Sequence, residues 1–570
     1  MNDEKRLLLA IILSVAVLVG WNFLYVKPQA EKNAQIVKST EQQSSTNQNV
    51  TDSQSVTDSN SKVSDYQPVK DKDEKAPQDT HAASNVDLKK FRTISIATSL
   101  YNVSISEYGA AVTSFTLNNY NETNKKDSPL KELVPAEIPQ GLFRLSLQGK
   151  SIQDFESAVF KADISQNKTL LKDGKKSISF VWTSPKGIIF EKIFTFHADT
   201  YMIDCDIVIK NGGTMALNDS LGISVAGFMD KAAAKAARFT FSGPSGFIDG
   251  ELLEIDKGDI EDKDTYHGKI EWTGYTSRYF MACVIPEKPI YGELKVSYIN
   301  SILTSTLYHQ MEQINPGKML EIPLSFFMGP KSLTILKQSN ESLTNAVNFG
   351  WFTLLAKPLL ITMNLIYKVL PNYGIAIILL TVLIKLILWP LGTKSYKSMN
   401  EMKKVQPLMA EIREKYKDDK QKMNKEVMAL YKTYKVNPVS GCLPMLAQMP
   451  IFFALYRMLY QAIELRHAPF MLWIQDLSAP DRLFHFNFSI PFMHAPYGLP
   501  VLTIIMGATF FLQQKMTPTS GDPAQAKMMM LMPIFMTVIF INFPAGLVLY
   551  FFANNLISMG QQLYIQKKFS

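Results

Sequence analysis

The sequence predicts a polytopic α-helical membrane protein of six spans that carries an all-β domain outside the membrane. Three observations carry this reading. Tyr373–Leu391, YGIAIILLTVLIKLILWPL, is an apolar run of the length a bilayer-crossing helix needs, roughly 20 residues. Between about Val86 and Met328 the side chains alternate with a period of two, the spacing of strands. From Gly392 to Val436, twelve Lys and Arg stand against six Asp and Glu, a local charge of +6 in a 570-residue chain of net +8. A basic segment beside a span belongs on the cytoplasmic side.

Residues 1–27 open with Lys5 and Arg6 and continue as an apolar run from Leu7 to Tyr25. The run is long for a signal peptide and no A-x-A pattern follows Val26, so an uncleaved anchor with a cytoplasmic N-terminus is expected. Residues 28–85 are rich in Ser, Gln, Asn, Thr, Asp and Lys, a composition that buries too little surface to order. They read as a flexible polar tether.

Residues 86–335 form the β domain. RTISIATS, KSISFVWTS and TYMIDCDIVIKN all alternate, with Ile203, Cys205, Ile207 and Ile209 on one face, and NGG and SGPSG punctuate the runs. Many short strands at this spacing predict an antiparallel β-sandwich. KAAAKAARF reads as a short helical interruption. GPSG at Gly243–Gly246 resembles the serine motif of intramembrane rhomboid proteases but lies in the β region, where it reads as a turn. Cys205 and Cys283 could pair if exported, although isolated cysteines are more often small buried hydrophobes. No cysteine or histidine spacing suggests a metal site.

Residues 336–372 connect the domain to the membrane. Their apolar stretch Trp351–Leu370 is interrupted by Lys357, Pro358, Asn364 and Lys368. Were it to span, the basic segment would fall outside the cytoplasm, so it is expected to lie in the interface as an amphipathic helix. The span 373–392 follows, then a basic helical hairpin at 393–437. Met399, Met402, Val405, Met409, Ile412 and Tyr416 recur at helical spacing, and Met423, Val427, Leu430 and Tyr434 repeat this after a KDDK turn. The methionines pack two helices together or offer an adaptable apolar surface to partner helices. Residues 438–565 hold four more spans, with Pro444 and Pro450 as kink points, and 566–570 form a cytoplasmic tail.

Lys385 sits mid-span with Thr381 one turn earlier on the same face. A charge at that depth costs at least ~2.5 kcal/mol. Lys394 already marks the cytoplasmic edge, and Lys385 lies about 13 Å deeper along the helix, farther than its stem reaches. A wet, protein-lined cavity is therefore expected, with Thr381, Gln448, Asn554 and Asn555 as neighbours. The span interiors contain no Asp or Glu, and the chain has no phosphate-cradling GxxxxGK[ST] loop and no HExxH. Such a site can attract acidic groups and hold water but is poorly equipped for covalent chemistry. Neither an enzyme nor a bound cofactor or metal is expected.

The runs KVNPVSGCLPMLAQMPIFFALYRML, IKLILWPLGTKSYKSMNEMKKVQP, ELRHAPFMLWIQDLS and NFPAGLVLYFFANNL resemble the YidC family of bacterial inner-membrane protein insertases. The likeness covers the whole chain in architecture, with the anchor, tether and exterior domain of the Gram-negative branch. It implies a periplasmic β-supersandwich similar to sugar mutarotases, and a conserved core of five helices around a hydrophilic groove. It also implies insertion and chaperoning of nascent membrane proteins, alone or with the Sec translocon. The groove charge, usually arginine in this family, is Lys385 here, which keeps the charge and loses the bidentate fork. Thr381 matches a groove threonine. A tyrosine pair of the last helix is Tyr550–Phe551, with the second hydroxyl missing. The hairpin, through Met399, Met402, Lys403, Lys404, Met409 and Arg413, would meet the ribosome or anionic lipid. Because the anchor and tether attach it loosely, the exterior domain is expected to be largely dispensable for insertion.

Two other classes remain open. A solute or lipid transporter could use the same cavity, but the inverted repeats or matching broken helices of such folds are not visible. An anchored carbohydrate-binding or isomerising enzyme would leave five further spans and the hairpin without a role.

Overall fold

The computed structural model describes residues 87–229, 240–434, 436, 443–517 and 523–569. The anchor, the tether, KAAAKAARF and Cys442 lie outside the described residues, as does part of the polar loop after Met516.

The alternating segments form strands as their period requires. Thr93–Ala97, Lys175–Thr183 and Met202–Asn211 are all strands, and Ile203, Cys205, Ile207 and Ile209 are fully buried. Ile188–His197, Met202–Asn211 and Met319–Pro330 pair antiparallel, with Cys205 opposite both Phe194 and Leu324. They belong to a thirteen-stranded sheet, and a five-stranded sheet containing Thr93–Ala97 completes the domain. Phenylalanines fill the core: the Phe143 and Phe326 rings stack 4.0 Å apart, and Phe194 lies 6.1 Å from Phe326. Cys205 and Cys283 are buried and free, so they act as small hydrophobes and do not pair.

GPSG is not a turn. Gly243–Ile248 is a strand paired with Thr265–Thr276, and Ser245 is fully buried with its hydroxyl on Thr276. Its glycines suit close approach of strands: a Cβ on Gly246 would meet Trp272 O at 3.2 Å.

After short helices α1 (Lys257–Asp262) and α2 (Leu333–Ser339), the chain enters its helical region. There α3 is Thr353–Val369, α4 Tyr373–Lys415, α5 Lys420–Thr433, α6 Leu443–Gln461, α7 Val501–Met516, α8 Pro523–Phe540 and α9 Ala545–Phe569. Among the described residues, Gly350–Val369 and Tyr373–Lys415 are long and apolar enough to cross a membrane. Val501–Met516 and Met529–Phe540 are shorter apolar helices.

The sequence divides span and hairpin at residue 392, but α4 runs unbroken through that boundary for 43 residues, about 65 Å. Asn372 caps its start, accepting from the Ile375 amide at 3.1 Å, and Pro390 and Pro407 lie inside it. Asp419 caps α5 by accepting from the Lys422 amide. The two helices meet around Val405, Met409 and Val436, against which Met402, Val427, Leu430 and Tyr431 pack.

The loose attachment expected of the exterior domain is not what the structure has. The Arg278 guanidinium lies 4.1 Å from the Tyr460 ring centre and donates to the Tyr460 carbonyl at the end of α6. Arg466 donates to the carbonyls of Asn121 and Glu122, at 2.6 and 3.0 Å. An arginine fork satisfying backbone carbonyls fixes orientation as well as distance, a constraint that side-chain periodicity does not display.

Candidate functional site

Helices α4, α6 and α9 bring together one polar cluster on otherwise apolar segments. Lys385 Nζ on α4 donates to Ser558 Oγ at 2.8 Å and reaches Gln448 Oε1 on α6 at 3.5 Å. Gln448 Nε2 donates to Asn554 Oδ1 at 2.9 Å and to Tyr550 Oη at 3.4 Å, both on α9. Ser558 donates in turn to the Asn554 carbonyl one turn earlier, at 2.6 Å. Tyr550, Asn554 and Ser558 are spaced by four, so α9 presents them as one stripe.

Each bond suits an apolar setting, where an unpaired polar group costs several kcal/mol. The cation is held by a hydroxyl and an amide oxygen. Neutral partners satisfy its donors without cancelling its charge, so the positive field persists around the half-buried ammonium. Such an arrangement has the chemistry to order water and to attract an acidic group. Ser558 accepts from the Lys385 ammonium while giving its own proton to the Asn554 carbonyl, and no cluster of His, Cys, Asp or Glu among the described residues could hold a metal.

Of the residues singled out by sequence, Lys385, Gln448, Tyr550 and Asn554 converge. Thr381 shares the face of Lys385 but is buried, and its hydroxyl donates to the Ile377 carbonyl of its own helix at 2.7 Å. Phe551 joins an aromatic cluster, 4.6 Å from Phe540, 5.2 Å from Phe452 and 5.3 Å from Tyr550. Asn555 points away to Thr509 on α7, at 3.3 Å. Ser558 was not singled out, although its place one turn beyond Asn554 is the signal that could have found it.

In the hairpin, Met409 is buried and Met402 half-buried against it, so these two pack the helices together. Lys403 and Lys404 are exposed, while Met399 and Arg413 are half-buried.

Comparison with known proteins covers nearly the whole chain. The family model described as "60Kd inner membrane protein" matches residues 365–570, and the model "YidC periplasmic domain" matches residues 93–362. A protein named membrane protein insertase YidC from Syntrophus aciditrophicus is 42% identical, over 86% of this chain and 88% of its own. The protein of that name from Syntrophobacter fumaroxidans is 39% identical over 99% of this chain and 100% of its own. A crystal structure titled as an active YidC insertase aligns with 82% of this chain and 92% of its own, at 19% identity and TM-score 0.37.

Proposed function

The chain belongs to the YidC family of membrane protein insertases, and from that premise we propose that its polar cluster is where an inserting segment is received. In this reading six spans cross the bacterial inner membrane with both termini in the cytoplasm and the β domain in the periplasm. Helix α3 lies in the interface, and a five-helix core encloses a hydrophilic groove lined by Lys385, Gln448, Tyr550, Phe551 and Asn554. Thr381 supports the wall from behind.

The observation that carries the reading is Lys385 held by Ser558 and Gln448 rather than by a carboxylate. A nascent segment often carries an acidic or polar flank whose transfer costs several kcal/mol. A cation in a hydrated groove offsets part of that cost. Because it is not locked in an ion pair, it releases the segment sideways into lipid. The family's name assigns insertion of membrane proteins. The ribosome and anionic lipid, met by the exposed Lys403 and Lys404 with Met399 and Arg413 beside them, and the Sec translocon are partners on this proposal. The transporter reading gains no support from these likenesses.

Site-specific crosslinking tests it. A photoreactive residue at Gln448 or Phe551 should capture a ribosome-bound nascent membrane segment, and the same residue on the exposed face of the β domain at Tyr291 should not. Equal capture at both places, or none at the cluster, overturns the groove.

A further inference from the structure

The exterior loop between α6 and α7 carries large, exposed apolar side chains, Phe488 among them stacked on Phe486 at 4.3 Å. Phe484, Phe488 and Phe492 are 73%, 63% and 78% exposed. Phe484 and Phe492 hold φ of +52° and +65°. Bulky residues rarely adopt that region, and it persists only where the surroundings enforce it. The enforcement at Phe492 is visible: Asn542 donates to the Phe492 carbonyl at 2.7 Å and accepts from the His494 amide at 2.8 Å. The turn after α8 thus clamps the loop so that the Phe492 ring stands outward.

Below that ring the loop and α8 form an apolar groove of about 660 Å³, lined by Phe492, Leu531, Ile534, Phe535, Val538 and Ile539. Its polar lining groups are His494 and Asn542. Asn542 follows the last turn of α8, so the groove is apolar along the helix and polar at its exterior mouth. From Arg482 to Leu499 the loop has Arg482, His485 and His494 and no Asp or Glu. Arg482 is anchored at the mouth by four bonds, donating to the carbonyls of Asp481, Ile541 and Pro496 at 2.8, 2.8 and 3.0 Å and to Asn542 Oδ1 at 3.3 Å. With the Asp481 side chain buried beneath, it offers a fixed positive charge with one N–H of its fork left over.

We propose that this groove seats an acyl chain of an outer-leaflet phospholipid, with its phosphate at the Arg482–His494 rim. The polarity gradient is that of a phospholipid: hydrocarbon along α8, then an interfacial zone of hydrogen-bond donors. The groove also continues the exposed apolar face of a helix in a family of inner-membrane proteins. A water-facing surface would not keep a contiguous patch of this size uncovered. The loop's phenylalanines dip into the same leaflet beside the seated lipid. The inference does not depend on the role of Lys385.

The test uses the full-length protein carrying Phe492→Trp, reconstituted in vesicles of phosphatidylethanolamine and phosphatidylglycerol brominated on the acyl chains. Fluorescence from position 492 should be quenched severalfold more by acyl bromines than by aqueous iodide, and native mass spectrometry should detect retained phospholipid. Val538→Trp, which fills the groove without touching the loop clamp, should remove most of that adduct. Iodide quenching in place of bromine quenching overturns the proposal. So does an adduct that survives Val538→Trp, which reports general immersion rather than a seat. A photoreactive group at 492 that captures protein instead of phospholipid assigns the groove to a polypeptide and overturns it too.

Discussion

Lys385 Nζ and Ser558 Oγ, 173 residues apart in sequence, lie 2.8 Å apart and tie α4 to α9. The bond fixes where the positive charge sits without neutralising it. Lys385→Arg should therefore insert clients nearly as wild type. Lys385→Ala should slow clients with acidic translocated tails about tenfold, which corresponds to ~1.4 kcal/mol of barrier. Lys385→Glu should be worse still, because it repels the same flank. Protease protection of such tails in membranes carrying each variant reads this out, and full protection with Lys385→Glu would remove the electrostatic role.

The hairpin offers a separable test of packing and charge. Met409 is buried between α4 and α5, so Met409→Asp places an unpaired charge in that seam and should open it, a cost of several kcal/mol. Hydrogen exchange should then rise across α5 while α7 and α9 stay protected. Lys403→Glu with Lys404→Glu leaves the seam alone and should weaken flotation with anionic vesicles by ~1 kcal/mol per lysine removed. That loss should shrink at high salt. Unchanged flotation of the double variant would count against the basic face.

A buried cation also governs the pH response of the exterior domain. Lys192 is fully buried and donates to the carbonyls of Ala110 and Phe143 at 2.7 and 2.8 Å. Burial pushes its pKa down to about 8. Burial likewise lowers Lys331 to about 8, with Glu254 opposing the shift. A base depressed in the folded state holds fewer protons than the unfolded chain, so stability rises as pH climbs from about 8 toward the ordinary lysine value. The buried thiols of Cys205 and Cys283 and buried phenols such as Tyr101 are all pushed up, so they oppose the trend from the ordinary thiol value upward and reverse it at higher pH. Proteolytic resistance of the domain in the full-length protein should therefore improve from pH 8 up to the ordinary thiol value and level off beyond it. Lys192→Met should remove about half of that slope, and an unchanged slope would show that Lys192 does not titrate there.

The sequence displayed what periodicity can display. Strand alternation found the buried face of Met202–Asn211, and hydropathy found the first half of α4 with Lys385 near the middle of its apolar run. Helical spacing found the hairpin seam. What stayed hidden depends on distant pairing. GPSG has the composition of a turn, yet strand partners at Thr273 and Thr276 hold it extended. Asn554 and Asn555 look equivalent as neighbours in sequence, but they differ by about 100° around α9, so one joins Gln448 and the other Thr509. Arg278 and Arg466 are ordinary surface charges by pattern, and only the fold reveals the carbonyls that receive them.

Glu464, just beyond α6, makes the junction between the two regions sensitive to pH. Its carboxylate accepts from Ser332 at 3.2 Å and from Asn364 on α3 at 3.5 Å, so one side chain joins the end of the β domain, the connector helix and the membrane region. Burial pushes its pKa up, with the bonds from Ser332 and Asn364 pulling the other way. An acid raised in the folded state binds its proton more tightly there than when unfolded. The clasp is therefore strongest below the ordinary glutamate value and weakens as pH rises through the raised one. Glu464→Gln keeps an acceptor and carries no charge, so it should hold the junction at least as well as wild type at pH 7 and lose the pH dependence. Glu464→Ala leaves the Ser332 and Asn364 donors unpaired, a penalty of ~1–3 kcal/mol. Hydrogen exchange of residues 332–346 in the full-length protein, followed from pH 5 to 8, distinguishes the three. Wild-type exchange, corrected for its intrinsic pH dependence, should rise across that range, Glu464→Gln should stay flat and slow, and Glu464→Ala should be fast throughout. If Glu464→Gln exchanged as fast as Glu464→Ala, the ionised carboxylate would be the form that holds the junction, and the clasp would strengthen rather than weaken with rising pH.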